Sequence, residues 1–139
     1  MEYIQKAAKL LQTANSLVIL TGAGASTESG IPDFRSSGGL YNKPKQYDYP
    51  AEVLLSHSFF VDHTDIFYEY YFSNLVYKDA KPNACHLALA EMEQFCNVKA
   101  VITQNIDGLH QQAGSSNVIE LHGTIKRYHC MKCRKPYSL

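Results

Sequence analysis

Gly22-Ala23-Gly24 follows the unbroken apolar run Leu17-Val18-Ile19-Leu20, and glycines at such a point let backbone amides approach a pyrophosphate with no side chain in the way. The spacing falls short of a dinucleotide fingerprint, because Thr27 stands where the third glycine belongs. A tight strand-to-helix turn without a ligand explains these three residues equally well. Ser29-Gly30-Ile31-Pro32-Asp33-Phe34-Arg35 then adds an acid, an aromatic ring and a guanidinium. Arg35 can pair a phosphate bidentately and Phe34 can cover a planar ring; an Asp33–Arg35 ion pair anchored by Phe34 is the plainer alternative. In Thr103-Gln104-Asn105-Ile106-Asp107-Gly108-Leu109-His110 the amides suit a ribose or an amide-bearing ring, whereas Asn105 or Asp107 taken alone suits a helix cap. His122, just past Val118-Ile119-Glu120-Leu121, is the best-placed base, since imidazole titrates near neutral pH and can take a proton from a hydroxyl. His57, His63, His86, His110 and His129 read as structural or surface residues.

Elements with the right spacing are available to position these clusters. Ile4, Ala7, Ala8 and Leu11 recur at helical spacing over residues 2–14. Leu17–Leu20 predicts a buried parallel strand. From Ser29 to Tyr49 the residues Gly30, Pro32, Gly38, Gly39 and Pro44 disfavour any long element and predict a mobile lid. Residues 51–79 predict a small helical layer, because Phe59, Phe60, Phe67, Tyr68, Tyr70, Tyr71 and Phe72 are too many for one narrow stripe. Asn83 predicts the N-cap of a helix whose apolar stripe is Ala84, Leu87, Ala88, Met92 and Phe95. Val98–Thr103 and Val118–Leu121 predict two more strands. Strand, helix and strand in alternation argue for an α/β domain with a parallel sheet, whose ligands collect at the carboxyl ends of the strands. The three polar clusters, 21–35, 103–110 and 122–124, all fall at those ends.

With 139 residues, 45% of them apolar, the chain can build one core but not two large domains. Lys plus Arg number 13 and Asp plus Glu 13, so nothing requires a polyanionic partner. The basic group Lys126, Arg127, Lys132, Arg134 and Lys135 reads as a solvated face ahead of a nucleic-acid surface. No run approaches the roughly 20 apolar residues of a membrane span, so no membrane partner is expected and the chain reads as cytoplasmic. Four cysteines are too few for a secreted disulfide framework, and Cys130-x-x-Cys133 points to metal or redox chemistry. Cys85 and Cys96 read as core thiols.

GAGASTESGIPDFR at 22–35, TQNIDGLH at 103–110 and His122-Gly123 ahead of the cysteine pair resemble, in order and spacing, the sirtuin family of NAD-dependent protein deacylases. The resemblance runs along the whole chain. It implies a Rossmann-like parallel sheet with helices on both faces, an NAD-binding unit at 1–124 that includes a cofactor-loop and helical insertion at 33–82, and the start of a small zinc-binding module at 125–139. It implies that Gly22, Ala23, Gly24, Ser26 and Thr27 hold the NAD pyrophosphate and its flanking groups. Asp33, Phe34 and Arg35 would lie on the cofactor loop, with Phe34 shielding the nicotinamide-ribose bond. Gln104 and Asn105 would hold the ribose and order water near it, Ile106 and Asp107 would line the carboxamide pocket, and His122 would be the general base, with Asn105 and Asp107 beside it in catalysis. The implied reaction moves the acyl group of acetylated protein lysines to ADP-ribose and releases nicotinamide, both product and inhibitor. Cys130 and Cys133 would occupy two corners of a structural zinc tetrahedron.

Family members that remove acidic acyl groups share a Tyr-x-x-Arg pair, and counting back from Pro82-Asn83 places Tyr68 and Tyr71 at those positions. With no cation to meet a buried carboxylate, a neutral acyl group such as acetyl is expected, although both tyrosines serve equally well as packing aromatics. A second cysteine pair, expected roughly 15–20 residues after Cys133, is absent, so the chain is expected to be a piece of a longer one. Three functions compete: an NAD-consuming lysine deacetylase, a module that holds NAD or acyl-lysine without turnover, and a mono-ADP-ribosyltransferase.

Overall fold

The computed structural model describes residues 2–42 and 47–137; Pro44 of the expected lid lies outside them. Strands β1 (Leu17–Thr21), β2 (Val98–Thr103) and β3 (Val118–Glu120) form a parallel sheet in the order β1-β2-β3. The register pairs Thr21 with Thr103 and Thr103 with Glu120. All three strands therefore end level, and the segments that leave them emerge on one edge. This brings together polar clusters that lie far apart in the sequence.

Helix α1 (Glu2–Thr13) precedes β1. Beyond β1 the chain winds into a 3-10 helix, Ala23–Ser29, closed by Gly30 in the left-handed region (φ 83°), where its N–H reaches the carbonyls of Ser26 and Thr27. A side chain at Gly30 would be strained there. The segment that follows folds on itself. Leu40 N–H donates to Asp33 O and Tyr41 N–H to Phe34 O, and the Asn42 side-chain amide donates to Ser36 O.

The helical layer is built from α2 (Ala51–Leu54), α3 (His57–Asp62) and α4 (Thr64–Asn74). Ser56 caps α3 by accepting the Phe59 N–H. Leu54, Phe59 and Tyr70 form the buried core of this layer, with Leu55, Ile66 and Phe67 packed against it. Helix α5 (Ala84–Met92) begins where expected: Asn83 accepts the Cys85 and His86 N–H groups, and the His86 ring accepts the Asn83 N–H in return. Helix α6 (Leu109–Ala113) follows Gly108, again left-handed at φ 74°. The antiparallel pair β4 (Tyr128–His129) and β5 (Pro136–Tyr137) closes the described chain.

Two expectations are modified. The stripe of α5 does not face inward: Leu87, Ala88 and Phe95 are exposed, and His86 is the buried residue of that helix. The buried strand expected at Leu17–Leu20 is also only half-covered. In β1 the residues Leu17, Ile19 and Thr21 are half-buried, while Val18 and Leu20 stay 54% and 67% exposed. Such strands are apolar on both sides because a parallel sheet is normally covered on both; in the central β2, Ala100 and Val101, on opposite sides, are both buried, so the exposure of Val18 and Leu20 belongs to the edge strand. No helix among the described residues is long and apolar enough to cross a membrane.

Candidate active site

A cavity of about 530 Å³ lies between the carboxyl edge of the sheet and the helical layer. Its polar wall comes from Ala23 and Ser26 after β1, Gln104, Asn105, Ile106 and Asp107 after β2, and His122 after β3. Phe34 and Arg35 contribute from the folded loop, and Leu55, Phe67, Tyr71 and Leu75 come from the helical layer and its exit. Nine of the sequence-derived candidates thus meet around one space: Ala23, Ser26, Phe34, Arg35, Gln104, Asn105, Ile106, Asp107 and His122.

Four others do not line it. Gly22 is adjacent, since its carbonyl accepts the Asn105 side-chain amide at 3.1 Å. Gly24 is exposed. The Thr27 hydroxyl is spent on the Gly24 carbonyl at 3.0 Å. Asp33 accepts the Ser36 N–H at 2.9 Å, and hydrogen bonds from the Ser36 hydroxyl and N–H hold its carboxyl below the ordinary value. A Cβ added at Gly22 or Gly24 would meet no atom within 4 Å, so the backbone there is open to a ligand.

Hydrogen bonds tie the polar wall together. The buried Ser26 hydroxyl donates to Asp107 Oδ2 at 2.7 Å and accepts the Asn105 amide at 3.0 Å. Asp107 Oδ1 accepts the Leu109 N–H at 2.9 Å. Asp107 therefore serves the start of α6 while facing the cavity; Asn105 does not cap that helix. His122 Nδ1 lies 2.9 Å from Gln104 O. A carbonyl only accepts, so in the neutral ring Nδ1 carries the proton and Nε2 keeps its lone pair. That is the tautomer in which Nε2 can act as a base.

Phe34 packs on Tyr41 with ring centroids 5.3 Å apart, and the Arg35 guanidinium sits 5.9 Å from the Tyr41 ring. Tyr71 lines the cavity, its hydroxyl lies 3.4 Å from that of Tyr128, and burial pushes its pKa up so that it stays a neutral phenol. Tyr68 does not line the cavity.

Sequence reasoning missed His86 and His110. Both are buried, His86 with Nε2 3.4 Å from Ser26 Oγ and His110 against His86, with ring centroids 4.8 Å apart. Burial pushes both imidazoles below the ordinary value, and the Asp107 carboxylate opposes this. A clue was available for His86: three residues after the N-cap Asn83, its ring could turn back to the cap.

At the other end, Cys130 and Cys133 sit on the turn joining β4 to β5. Cys130 N–H donates to Lys135 O, Arg134 N–H donates to Cys130 O, and Arg134 is left-handed at φ 60°. Backbone N–H groups of Cys133 and Lys132 pull the Cys130 thiol below its ordinary pKa, which favours the thiolate. No group of three or more His, Cys, Asp or Glu residues suited to a metal occurs among the described residues.

The model of the Sir2 family matches residues 22–139, which span both glycine turn and cysteine pair. The chain belongs to the Sir2 family. It is 52% identical over 139 residues to an NAD-dependent protein deacetylase of Clostridium acetobutylicum, covering 100% of this chain and 57% of that protein. An NAD-dependent protein deacetylase of Clostridium tetani is 53% identical over 131 residues, covering 94% of this chain and 53% of that one. A solved Sir2 variant in complex with deacetylated p53 peptide and 3'-O-acetyl ADP ribose superimposes with a TM-score of 0.87 at 42% identity. That match covers 97% of this chain and 53% of the solved one. The chain spans about half the length of these Sir2 relatives.

Proposed function

We propose that this Sir2 chain carries the nicotinamide-ribose half of an NAD-dependent lysine deacetylase site. The observation that supports it most is the convergence of Ser26, Phe34, Asn105, Asp107 and His122, from four separate segments, on one cavity. NAD supplies a glycosidic bond to a cationic ring, which breaks more readily when the ring is held away from water.

The chain's residues divide the work. The bare backbone at Gly22 and Gly24 admits the phosphates, with Ala23, Ser26 and Thr27 beside them and Arg35 offering a cation. Asp33 keeps the loop folded beneath Phe34, whose ring shields the reacting bond. Gln104 and Asn105 hold the ribose. Ile106 gives the nicotinamide ring an apolar wall, and the Asp107 carboxylate, oriented by Ser26 and Leu109, accepts from the carboxamide. His122, with its proton parked on Nδ1 toward Gln104, takes a ribose hydroxyl proton at Nε2 and so readies that oxygen to capture the acyl group. The neutral Tyr71 phenol and the absence of an arginine at its position favour a neutral acyl group, acetyl first.

Zinc, if held, would use Cys130 and Cys133. Their turn and the lowered Cys130 thiol fit two corners of a tetrahedron, and the other two donors are not among the described residues. The division at 124/125 into a catalytic unit and a zinc module is read in the same way.

The experiment is incubation of the full chain with NAD and an acetylated peptide, assayed for nicotinamide and O-acetyl-ADP-ribose by mass spectrometry. Both products are expected, and both are lost in His122→Ala. A His122→Ala chain with undiminished turnover would remove the assignment. NAD binding by calorimetry with no nicotinamide release would instead identify a chain that holds NAD without turnover.

A further inference from the structure

Behind the cavity wall, two histidines that do not line it bear on the direction of the hydrogen bonds around Ser26. The Asn83 N–H can only donate, so its 3.3 Å contact makes His86 Nδ1 an acceptor and places the proton of the neutral ring on Nε2. That nitrogen lies 3.4 Å from Ser26 Oγ. The hydroxyl therefore accepts from His86 and from Asn105 and must send its own proton to Asp107. With both incoming donors in place the Ser26 proton is left for Asp107 Oδ2, while Oδ1 keeps the Leu109 N–H.

The ring of His86 is held in this orientation from the far side. His110 packs against it with an interplanar angle of 60°, and His110 Nε2 is tied to Thr21 Oγ1 at the end of β1, at 2.9 Å. His86 and His110 are 0% and 1% exposed. His110 Nδ1 is buried without a partner among the described residues, so the bond to Thr21 is its polar anchor there. The titratable groups facing the pair are each other and Asp107.

We propose that His110, braced by Thr21, is a positioning residue of the NAD site: it fixes the His86 ring and, through it, the direction in which Ser26, Asn105 and Asp107 present their polar atoms to the cavity. The identity of the ligand rests on the deacetylase reading above; the direction of the protons does not.

Thr21→Val, His110→Phe and His110→Gln test it in the full chain. Valine removes only the hydroxyl, phenylalanine keeps a ring without nitrogen, and glutamine places an amide where Nε2 stood. NAD affinity is read by calorimetry, and the His86 tautomer by nitrogen-15 shifts of the imidazole rings. Losing the anchor should weaken NAD binding by about tenfold, the scale of one hydrogen bond, in both Thr21→Val and His110→Phe. The His86 Nε2 resonance should move in both, and His110→Gln should restore both readouts. Unchanged affinity and unchanged His86 shifts in Thr21→Val and His110→Phe would overturn the proposal, as would a glutamine variant no better than phenylalanine. Should the unmodified chain bind no NAD, the deacetylase reading falls and the His86 resonance decides alone: displacement in Thr21→Val upholds the proposal and constancy refutes it.

Discussion

Gly38 and Gly39 are neighbours on the folded loop, and alanine should be tolerated at one and not at the other. A methyl at Gly39 would lie 2.7 Å from the Phe34 carbonyl carbon, 2.8 Å from the Arg35 nitrogen and 2.8 Å from an Asp33 carboxylate oxygen. Two of these atoms are main chain, so the backbone that carries Phe34 and Arg35 must move. At Gly38 the same methyl meets nothing within 4 Å. Overpacking costs about 1–3 kcal/mol. Taking ~2 kcal/mol, and tenfold per 1.4 kcal/mol, the closed loop becomes about 30-fold less populated, and NAD affinity falls with it. The bonds of the loop run largely within residues 33–42, so opening it relieves the strain and the melting temperature moves little. Calorimetric titration of NAD into Gly38→Ala and Gly39→Ala chains, with thermal melts alongside, makes the measurement. Equal NAD affinity in the two variants would refute the link between loop geometry and the cofactor.

Other outcomes follow from the same geometry. Gly22→Ala meets no atom and needs no positive φ, so urea unfolding should change by less than about 0.5 kcal/mol while NAD binding drops. Gly108→Ala should behave in the opposite sense: its φ of 74° and the Lys126 side chain 3.2 Å away should cost about 1–2 kcal/mol of stability. His86 and His110 have pKa values below those of the unfolded chain, so the unfolded state binds more protons as pH drops below about 6.5 and stability is lost there. Thermal melts from pH 8 to 5 should show this loss, and His110→Gln should reduce it. Phe59→Ala empties the centre of the helical layer and should cost about 3–5 kcal/mol by chemical denaturation.

Much of this was legible in the residues. Leu17–Leu20 read as a buried parallel strand because its apolar run is unbroken, Val98–Thr103 read as a strand, and the two pair in parallel. Asn83 read as a cap and is one. The meeting of the 21–35, 103–110 and 122–124 clusters followed from strands that end level. What could not be read is what depends on partners distant in sequence. Nothing local says that Ser26 gives its proton to Asp107, 81 positions away, or that Thr27 and Asp33 satisfy their own loops instead of the cavity. His86 and His110 were passed over because an isolated histidine is usually a surface or packing residue, and their contact joins two different helices. The α5 stripe misled for a similar reason: helical periodicity identifies an apolar face without showing what covers it.

The pairing of β1 with β2 also bears on the order in which the molecule assembles during synthesis. α2, α3 and α4 touch one another through neighbours close in sequence, so this part can condense while the remainder is still being translated. β1, made first, has no hydrogen-bonding neighbour in the sheet until Val98–Thr103 has emerged. The pocket's polar wall therefore forms after the helical layer, and a nascent polypeptide stalled before β2 would display its glycine turn without the Gln104–Asp107 segment beside it.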